Sequence, residues 1–565
     1  MHVQKRWLTK EEDIDALAHL QDTLHIHPAL CKILYHRGIS TYEQAKAFFR
    51  PELNNLHNPF LMNDMKAAVE RIIYAIHHNE RILIYGDYDV DGTTSVALVY
   101  SYLRSMYENI DYYIPDRYKE GYGISTSGID YAYDNEVKLI IALDCGIRAH
   151  DKVDYAHERK IDFIICDHHL PEDVLPDAVA VLDPKRFDNT YPFTELSGCG
   201  IGFKLMQALC LTMERNMEEV YELLDLVAVS IASDLVHLVD ENRIMAYHGL
   251  KQFNKNKRAG FAALKRITAF NRDADITDLV FIIGPRINAA GRIAHGSEAV
   301  ELLIEKDILV AYEKVQKIQL NNDERKGLDK DITEEAISIL EDEYYARRKS
   351  TVLFQSHWHK GVIGIVASRL IERHYKPTII LTESNGKAVG SGRSIHGFDL
   401  HQALDACKDY IIQFGGHKYA AGLTLELDMV PIFIQKFEEY VNENITTEIM
   451  TPFVDIDAEI ELSDITPKFY NILQQMAPFG PMNMRPIFLT KDVKDAGYTQ
   501  LLKDEHLKLH ITKSGQRSVF GIGFGMWYLI PIIRNNTTFN VCYHLYENEW
   551  NGNKRIELQV KDIQA

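Results

Sequence analysis

The sequence predicts an α/β protein: a parallel, doubly wound domain, a long linker helix, a second and smaller α/β domain, and a C-terminal β-barrel of oligonucleotide-binding type. Three observations predict it. Short apolar runs alternate with helical patterns from about residue 80 to residue 185, a βαβ rhythm. A polar stretch with helical periodicity and only one glycine, Gly327, occupies residues 305 to about 345. From about residue 452 the strand-like runs become short and frequent.

The elements follow in order. Residues 1–50 read as a helical lead-in, where Thr9 and Glu12 of TKEEDIDALAHLQDTL have capping-box spacing. Residues 51–304 form the first domain. RILIYGD, IDYYIP, VKLIIALDC, IDFIICDHH and AVAVLDP read as strands. Their unbroken runs of Val, Ile and Leu suit strands buried on both faces. Between them TTSVALVYSYLRSM, STSGIDYAYDN and RAHDKVDYAHERK read as helices, the first opened by Thr93 or Thr94. From Gly200 to about Ile304 the pattern is mostly helical, and residues 305–345 are the linker helix. STVLFQS, PTIILTES and AVGSGRS mark the second α/β domain, 346–445. FVDIDAEIEL, RPIFLT, KLHITK, SVFGIGF, FNVCYHLYENEW and RIELQVKDIQ supply the barrel, 452–565.

Composition narrows the class. With 46% hydrophobic and 25% charged residues, the 565-residue chain is ordinary globular protein. No apolar run reaches about 18 residues, so no membrane span is expected. The N-terminus lacks the apolar core of a secretory signal. The seven cysteines form no CxxC pair, which favours buried filler over zinc or disulfides and leads to an expected cytoplasmic location. The net charge of −19 argues against a polynucleotide ligand. The argument is weakened because bound cations neutralise carboxylates and a narrow basic channel coexists readily with an acidic exterior.

The chemistry lies in three acidic clusters, each directly after a strand: Asp87, Asp89 and Asp91 in GDYDVDGTTS, Asp144 in LDCG, and Asp167, His168 and His169 in CDHH. One Asp-x-Asp in a loop is ordinarily a solvated turn or cap. Three clusters at strand ends are different, because open parallel sheets bind ligands at the carboxyl ends of their strands. Phosphodiester hydrolysis needs an activated nucleophile and a sink for charge, and two divalent ions about 3.5–4 Å apart supply both. Oxygen and imidazole donors without thiolate favour Mn²⁺ or Mg²⁺. Asp144, alone on its strand end, is the candidate to bridge two ions, and Gly92 is expected to let the backbone turn. Asp234, inside the apolar helical run LVAVSIASDLV, is costly unless paired, used as an N-cap or bound to metal.

GDYDVDGTTS, DCG, DHH and ASD resemble the four motifs of the DHH phosphoesterase superfamily. IPDRYKEGYGI, LSGCGIGFKL, GPRINAAGRI, WHKGVIGIVASRL, SGRSIHGFDLHQAL and FGGHKYAAGLTL extend the likeness, over about residues 50–430, to its single-strand-specific 5′→3′ DNA exonucleases. The segment APFGPMNMRPIF and the barrel match more loosely, and His396 stands where the pattern has proline. The resemblance implies that Asp87, Asp89, Asp91, Asp144, His168 and Asp234 hold two divalent cations and that His169 completes the catalytic set. It also implies that Gly415, Gly416 and His417 face the metals across a cleft too narrow for a duplex, whose width the linker helix sets, with His417 on the scissile phosphate. Ser391 and Arg393 would hold backbone phosphates, and Arg117, Arg286 and Arg292 the 5′-terminal phosphate. The implied substrate is single-stranded DNA, cut to 5′-mononucleotides in recombination and repair, with a single-strand-binding protein or a helicase as protein partner. Trp358 and the barrel aromatics are candidate stacking platforms, although such residues are more often core. The alternatives are a DHH phosphodiesterase acting on short oligoribonucleotides or cyclic dinucleotides, and a non-catalytic DNA-binding scaffold.

Overall fold

The computed structural model describes residues 5–565 apart from Glu12, Asn271, Asn536 and Asn551. The chain opens with a strand, β1 (Arg6–Thr9), and its first helix is Ile14–Leu24. Asp13, not Thr9, caps that helix by accepting from Ala16 N, and Glu12 lies outside the described residues. The chain divides into two compact units, residues 37–322 with 472–485, and residues 1–36 with 323–471 and 486–565.

In the first unit, β2 (Arg81–Gly86), β3 (Ile110–Tyr113), β4 (Val137–Leu143), β5 (Asp162–Cys166) and β6 (Ala180–Leu182) form a parallel sheet of order β3-β2-β4-β5-β6. Alternate residues bury opposite faces. Ile82, Ile84, Leu139 and Ile141 enter one apolar cluster, and Leu83, Tyr85, Ile140 and Phe163 the other. Burial on both sides at about 1.5–3 kcal/mol per large side chain explains why these strands lack a polar alternation. Register then sets the function: Gly86 pairs with Leu143, and Leu143 with Cys166. The next residues, Asp87, Asp144 and Asp167, therefore leave three adjacent strands at one level. The order reverses between β2 and β4, where such sheets take ligands.

A 33-residue helix, Ile308–Leu340, follows, and the unit boundary falls inside it. In the second unit β7 (Thr351–Phe354), β8 (Thr378–Ser384), β9 (Lys387–Arg393), β10 (Gln413–His417) and β11 (Ala420–Leu425) form a sheet of order β10-β11-β9-β8-β7. The glycine-rich hairpin β10–β11 carries too little apolar alternation to read as strands. Trp358 is 3% exposed, donates to Glu335 Oε2 at 2.9 Å and packs with Val362 and Ile363. It is core, which corrects its candidacy as a stacking platform.

FVDIDAEIEL splits into β12 (Phe453–Ile456), which pairs in parallel with β1, and β13 (Ala458–Glu459). β13, β14 (Phe488–Asp495), β15 (Gln500–Leu502), β16 (His506–Thr512), β17 (Val519–Gly523), β18 (Phe539–Trp550) and β19 (Asn553–Gln564) form one sheet. An additional β14–β16 pairing closes β14-β18-β19-β17-β16 into a barrel. Among the described residues, no helix is long and apolar enough to cross a membrane. All seven cysteines are buried and unpaired.

Candidate metal centre

The helix after β2 runs Val90–Arg104, so it begins inside the acidic motif rather than at Thr93. Asp89 is its N-cap, accepting from Gly92 N at 3.0 Å. Thr93 and Thr94 instead bond back to Asp89 O and Val90 O. Gly92 serves close packing, since a Cβ there would sit 2.4 Å from Asp87 O. Asp91 lies in the first turn, where a carboxylate suits the helix dipole. It accepts from Gly198 N at 2.7 Å, Cys199 N at 2.8 Å and Ser230 Oγ at 2.7 Å. Gly198 and Cys199 open a second helix, Gly198–Thr212, so two helix N-termini fix this carboxylate.

Asp144 follows β4 with φ +60°, a region rarely adopted by residues other than glycine. Burial raises its pKa well above the carboxylate range, with further contributions from Asp91, Asp89 and Asp234. Its Oδ1 and both oxygens of Asp87 are buried without a well-formed hydrogen bond. Burial first, and then Asp89, likewise raise Asp87.

In the third cluster, Asp167 spends its carboxylate on hydrogen bonds within the protein. It accepts from Ile147 N at 2.9 Å, His168 N at 2.8 Å and His169 Nδ1 at 2.7 Å. Burial opposes ionisation of Asp167, but the His169 hydrogen bond and the two imidazoles outweigh it and hold its pKa below the usual range. Burial lowers the pKa of His169, yet Asp167 and the surrounding carboxylates raise it overall to about 9. His168 Nε2 lies 3.2 Å from Asp144 Oδ1, 3.6 Å from Asp234 Oδ2 and 3.8 Å from Asp91 Oδ2. Asp234 is the last residue of helix Leu224–Asp234, one turn after Ser230. It is not an N-cap: a carboxylate at a helix C-terminus opposes the dipole, and the arrangement makes sense opposite a cation.

Two overlapping donor sets result, Asp144–His168–His169 and Asp91–His168–Asp234, with ligand atoms of each set within 4.8 Å of one another. Asp87 and Asp89 stand outside these sets but act electrostatically within the group. The residues fit divalent cations on three counts: the carboxylates repel one another, several of their oxygens are orphaned, and every donor is oxygen or imidazole. The nearby Cys145 and Cys199 thiols are pushed up by burial and stay protonated. Gly198 supports Asp144 closely, since a Cβ would fall 2.7 Å from Asp144 Cβ and 2.8 Å from its Oδ1. Gly198→Ala is expected to weaken Mn²⁺ binding by about ten-fold or more while leaving the far-ultraviolet spectrum unchanged. Calorimetric titration with Mn²⁺ checks this, and an unaltered affinity refutes it.

The proposed phosphate-binding residues fall into separate groups. Arg117 lies over the Tyr88 ring, 5.0 Å from its centroid, and the Arg292 charge acts on the same tyrosine. Arg286 is tied instead to Gln319 Oε1 at 2.8 Å and Ile282 O at 2.6 Å. In the second unit, Arg393, Ala420 and His417 share one rung of β9, β11 and β10, and Ser391, Gly422 and Gly415 another. Side chains two residues apart on a strand share a face. Ser391, Arg393, Gly415 and His417 therefore lie on the sheet face opposite the buried Leu423 and Leu425. Gly416, with φ +139°, approaches Ala420 O too closely for any Cβ. Ser230, Gly198 and Tyr122 were not legible as site residues, since each reaches the centre from a distant part of the sequence.

A doubly wound sheet with acidic and imidazole donors converging at its rim defines a metal-dependent phosphoesterase of the DHH type. Family models agree: "DHH family, N-terminal domain" matches residues 81–231, "DHHA1 domain" residues 348–443 and "RecJ OB domain" residues 456–562. The single-stranded-DNA-specific exonuclease RecJ of Bacillus subtilis is 36% identical over 99% of this chain and 70% of its own length. That of Escherichia coli is 32% identical over 98% of both. A crystal structure of RecJ from Thermus thermophilus in complex with Mn²⁺ superposes with a TM-score of 0.86 at 24% identity, covering 99% of this chain and 79% of that one. The chain belongs to the RecJ family.

Proposed function

We propose that the protein is a single-stranded-DNA-specific exonuclease that degrades from the 5′ end and releases 5′-mononucleotides, using two Mn²⁺ or Mg²⁺ ions. The observation that carries this reading is the convergence of Asp91, Asp144, His168 and Asp234 on one point of the sheet rim, in a chain similar to RecJ over nearly its whole length. The chemistry that divalent cations supply when bound is activation of the attacking water and neutralisation of charge on the phosphate. The chain's own residues do the rest. Asp91 is immobilised by two backbone amides and Ser230, so its geometry needs no reorganisation during turnover. Asp144, His168 and Asp234 would hold the cations with it, Asp87 and Asp89 are assigned to the same set from beside it, and Asp167 fixes the His169 ring by accepting from its Nδ1. Arg117 and Arg292 are assigned to the 5′-terminal phosphate, with Arg286 on the same helix as Arg292, Gly284–Ile293. Ser391, Arg393 and His417 are assigned to phosphates along the backbone, where Gly415 and Gly416 leave the strand bare. These local cations reconcile a net charge of −19 with a polyanionic substrate.

An enzyme restricted to single strands depends on something that exposes them, which makes a helicase or a single-strand-binding protein the natural partner in recombination and repair. Seven unpaired cysteines suit a reducing, cytoplasmic location. The deciding experiment is a Mn²⁺ titration with 5′-labelled and 3′-labelled single strands. Labelled mononucleotide is expected first from the 5′ label, and circular single strands are expected to resist. Rapid nicking of circles would exclude this reading.

A further inference from the structure

Asn242 is a fully buried polar side chain in the first turn of helix Asp240–Asn254. Its Nδ2 donates to two carbonyls at once, Glu195 O and His237 O, the second at 3.0 Å. Of the amide's two ends only the NH₂ serves carbonyls, so its orientation is fixed. The two acceptors lie on different arms of the metal centre. Glu195 stands two residues before Ser197, the N-cap of helix Gly198–Thr212, and the first two amides of that helix clamp Asp91. His237 stands three residues after Asp234, in the segment that leaves the helix Asp234 ends. One side chain therefore ties the arm that fixes Asp91 to the arm that carries Asp234.

Asn242 is itself anchored. The neighbouring Glu241 accepts from Lys204 Nζ at 2.8 Å, from His57 N at 2.7 Å and from Tyr191 Oη. Lys204 stands on helix Gly198–Thr212, six residues after Gly198, and its Nζ also donates to His57 O at 2.6 Å. Both charges are fully buried. Such a pair resists displacement, because moving either member strands the other charge away from water. The first turn of helix Asp240–Asn254 is thereby locked to the helix that clamps Asp91, and Asn242 is the next residue along. Asp91 and Asp234 face His168 Nε2 from 3.8 and 3.6 Å and make up one donor set with it. The other set, Asp144–His168–His169, has no member on either arm.

We propose that Asn242 is a positioning residue that sets the spacing of Asp91 and Asp234, and so tunes one of two cation sites, Asp91–His168–Asp234, while leaving the other alone. This rests on the two-ion exonuclease reading above. The test is a calorimetric titration of the full-length protein with Mn²⁺ in the absence of DNA, with electron paramagnetic resonance counting the bound ions. The wild type is expected to take up two. Asn242→Ala is expected to weaken one binding event about ten-fold and to leave the second unchanged. Mg²⁺ tolerates misplaced ligands less well than Mn²⁺, since it demands near-ideal octahedral geometry. The kcat of the alanine variant is therefore expected to fall further in Mg²⁺ than in Mn²⁺, with KM for single-stranded DNA unchanged. Asn242→Ser keeps a donor for one of the two carbonyls and is expected to fall between alanine and wild type. It carries the test should the alanine variant fail to fold. A folded variant that binds both ions as the wild type does overturns the proposal. So does one that loses affinity equally in both events, which is the signature of a general loosening. A wild type that takes up a single Mn²⁺ overturns the two-ion reading instead, and the proposal with it.

Discussion

Replacing Asp144 by Asn is expected to abolish nuclease turnover, a loss of about 10³-fold or more, while raising the melting temperature of the chelated protein. Both effects have one cause. Asp144 is 2% exposed, lies in the left-handed backbone region, and has an Oδ1 without a well-formed hydrogen bond. Burial, then Asp91, Asp89 and Asp234, all act against its ionised form. Without a cation that charge costs on the order of 1–3 kcal/mol, which the isosteric amide relieves. With Mn²⁺ the order reverses, because the wild type gains stability from the ligand it binds and the variant gains little. Thermal scans in EDTA and in a Mn²⁺ series, alongside turnover on single-stranded DNA, separate the outcomes. Near wild-type turnover, or an undiminished Mn²⁺ shift, would show that Asp144 holds no metal.

Arg243→Ala is expected to cost the first unit about 2–5 kcal/mol of stability, at about 1–3 kcal/mol per orphaned buried carbonyl. Arg243 is 4% exposed on helix Asp240–Asn254. Its guanidinium donates to Met476 O and Ala477 O at 3.0 Å, to Pro478 O at 3.3 Å and to Phe48 O at 3.0 Å, and stacks on Phe48 at 3.8 Å. Burial and the nearby Arg37 lower its pKa. Truncation would take the Arg243 donor from the Ala477 and Phe48 carbonyls, which Asn483 does not serve, and leave a void the size of the guanidinium. Asn483 Nδ2 reaches only Met476 O and Pro478 O, and Leu238 N bonds to Pro481 O. Since Leu238 lies four residues after Asp234, loosening this segment is also expected to weaken Mn²⁺ binding. Calorimetry resolving the first unit's transition is the measurement, since a chain of two units need not unfold in one step. An unchanged transition would mean that the segment carries no load.

The parallel strands were legible because burial on both faces writes an unbroken apolar run into the sequence, as in RILIY and VKLIIAL. The closing hairpin β10–β11 was not, because glycines in QFGGH erase the alternation that marks a strand. The capping box at Thr9 failed for another reason. Pairing with β12, more than 400 residues away, makes Thr9 the end of a strand, and the helix takes the nearer Asp13 as its cap. Trp358 had the composition of a stacking residue, but its surroundings make it core.

The sequence by itself determined that acidic and imidazole donors end three strands of a doubly wound sheet, because apolar runs and neighbouring polar residues are local signals. Only the tertiary structure decided how those donors are used. Asp167, adjacent to His168, spends its oxygens on backbone amides and the His169 ring, whereas Asp144 and Asp87 keep oxygens free. It also decided that Gly198, Ser230 and Tyr122 reach the same centre, that residues 472–485 return to the first unit, and that β14 meets β16 to close the barrel. Each of these depends on contacts between residues far apart in the chain, and the burial and hydrogen bonding they impose have no local periodicity for a sequence to display.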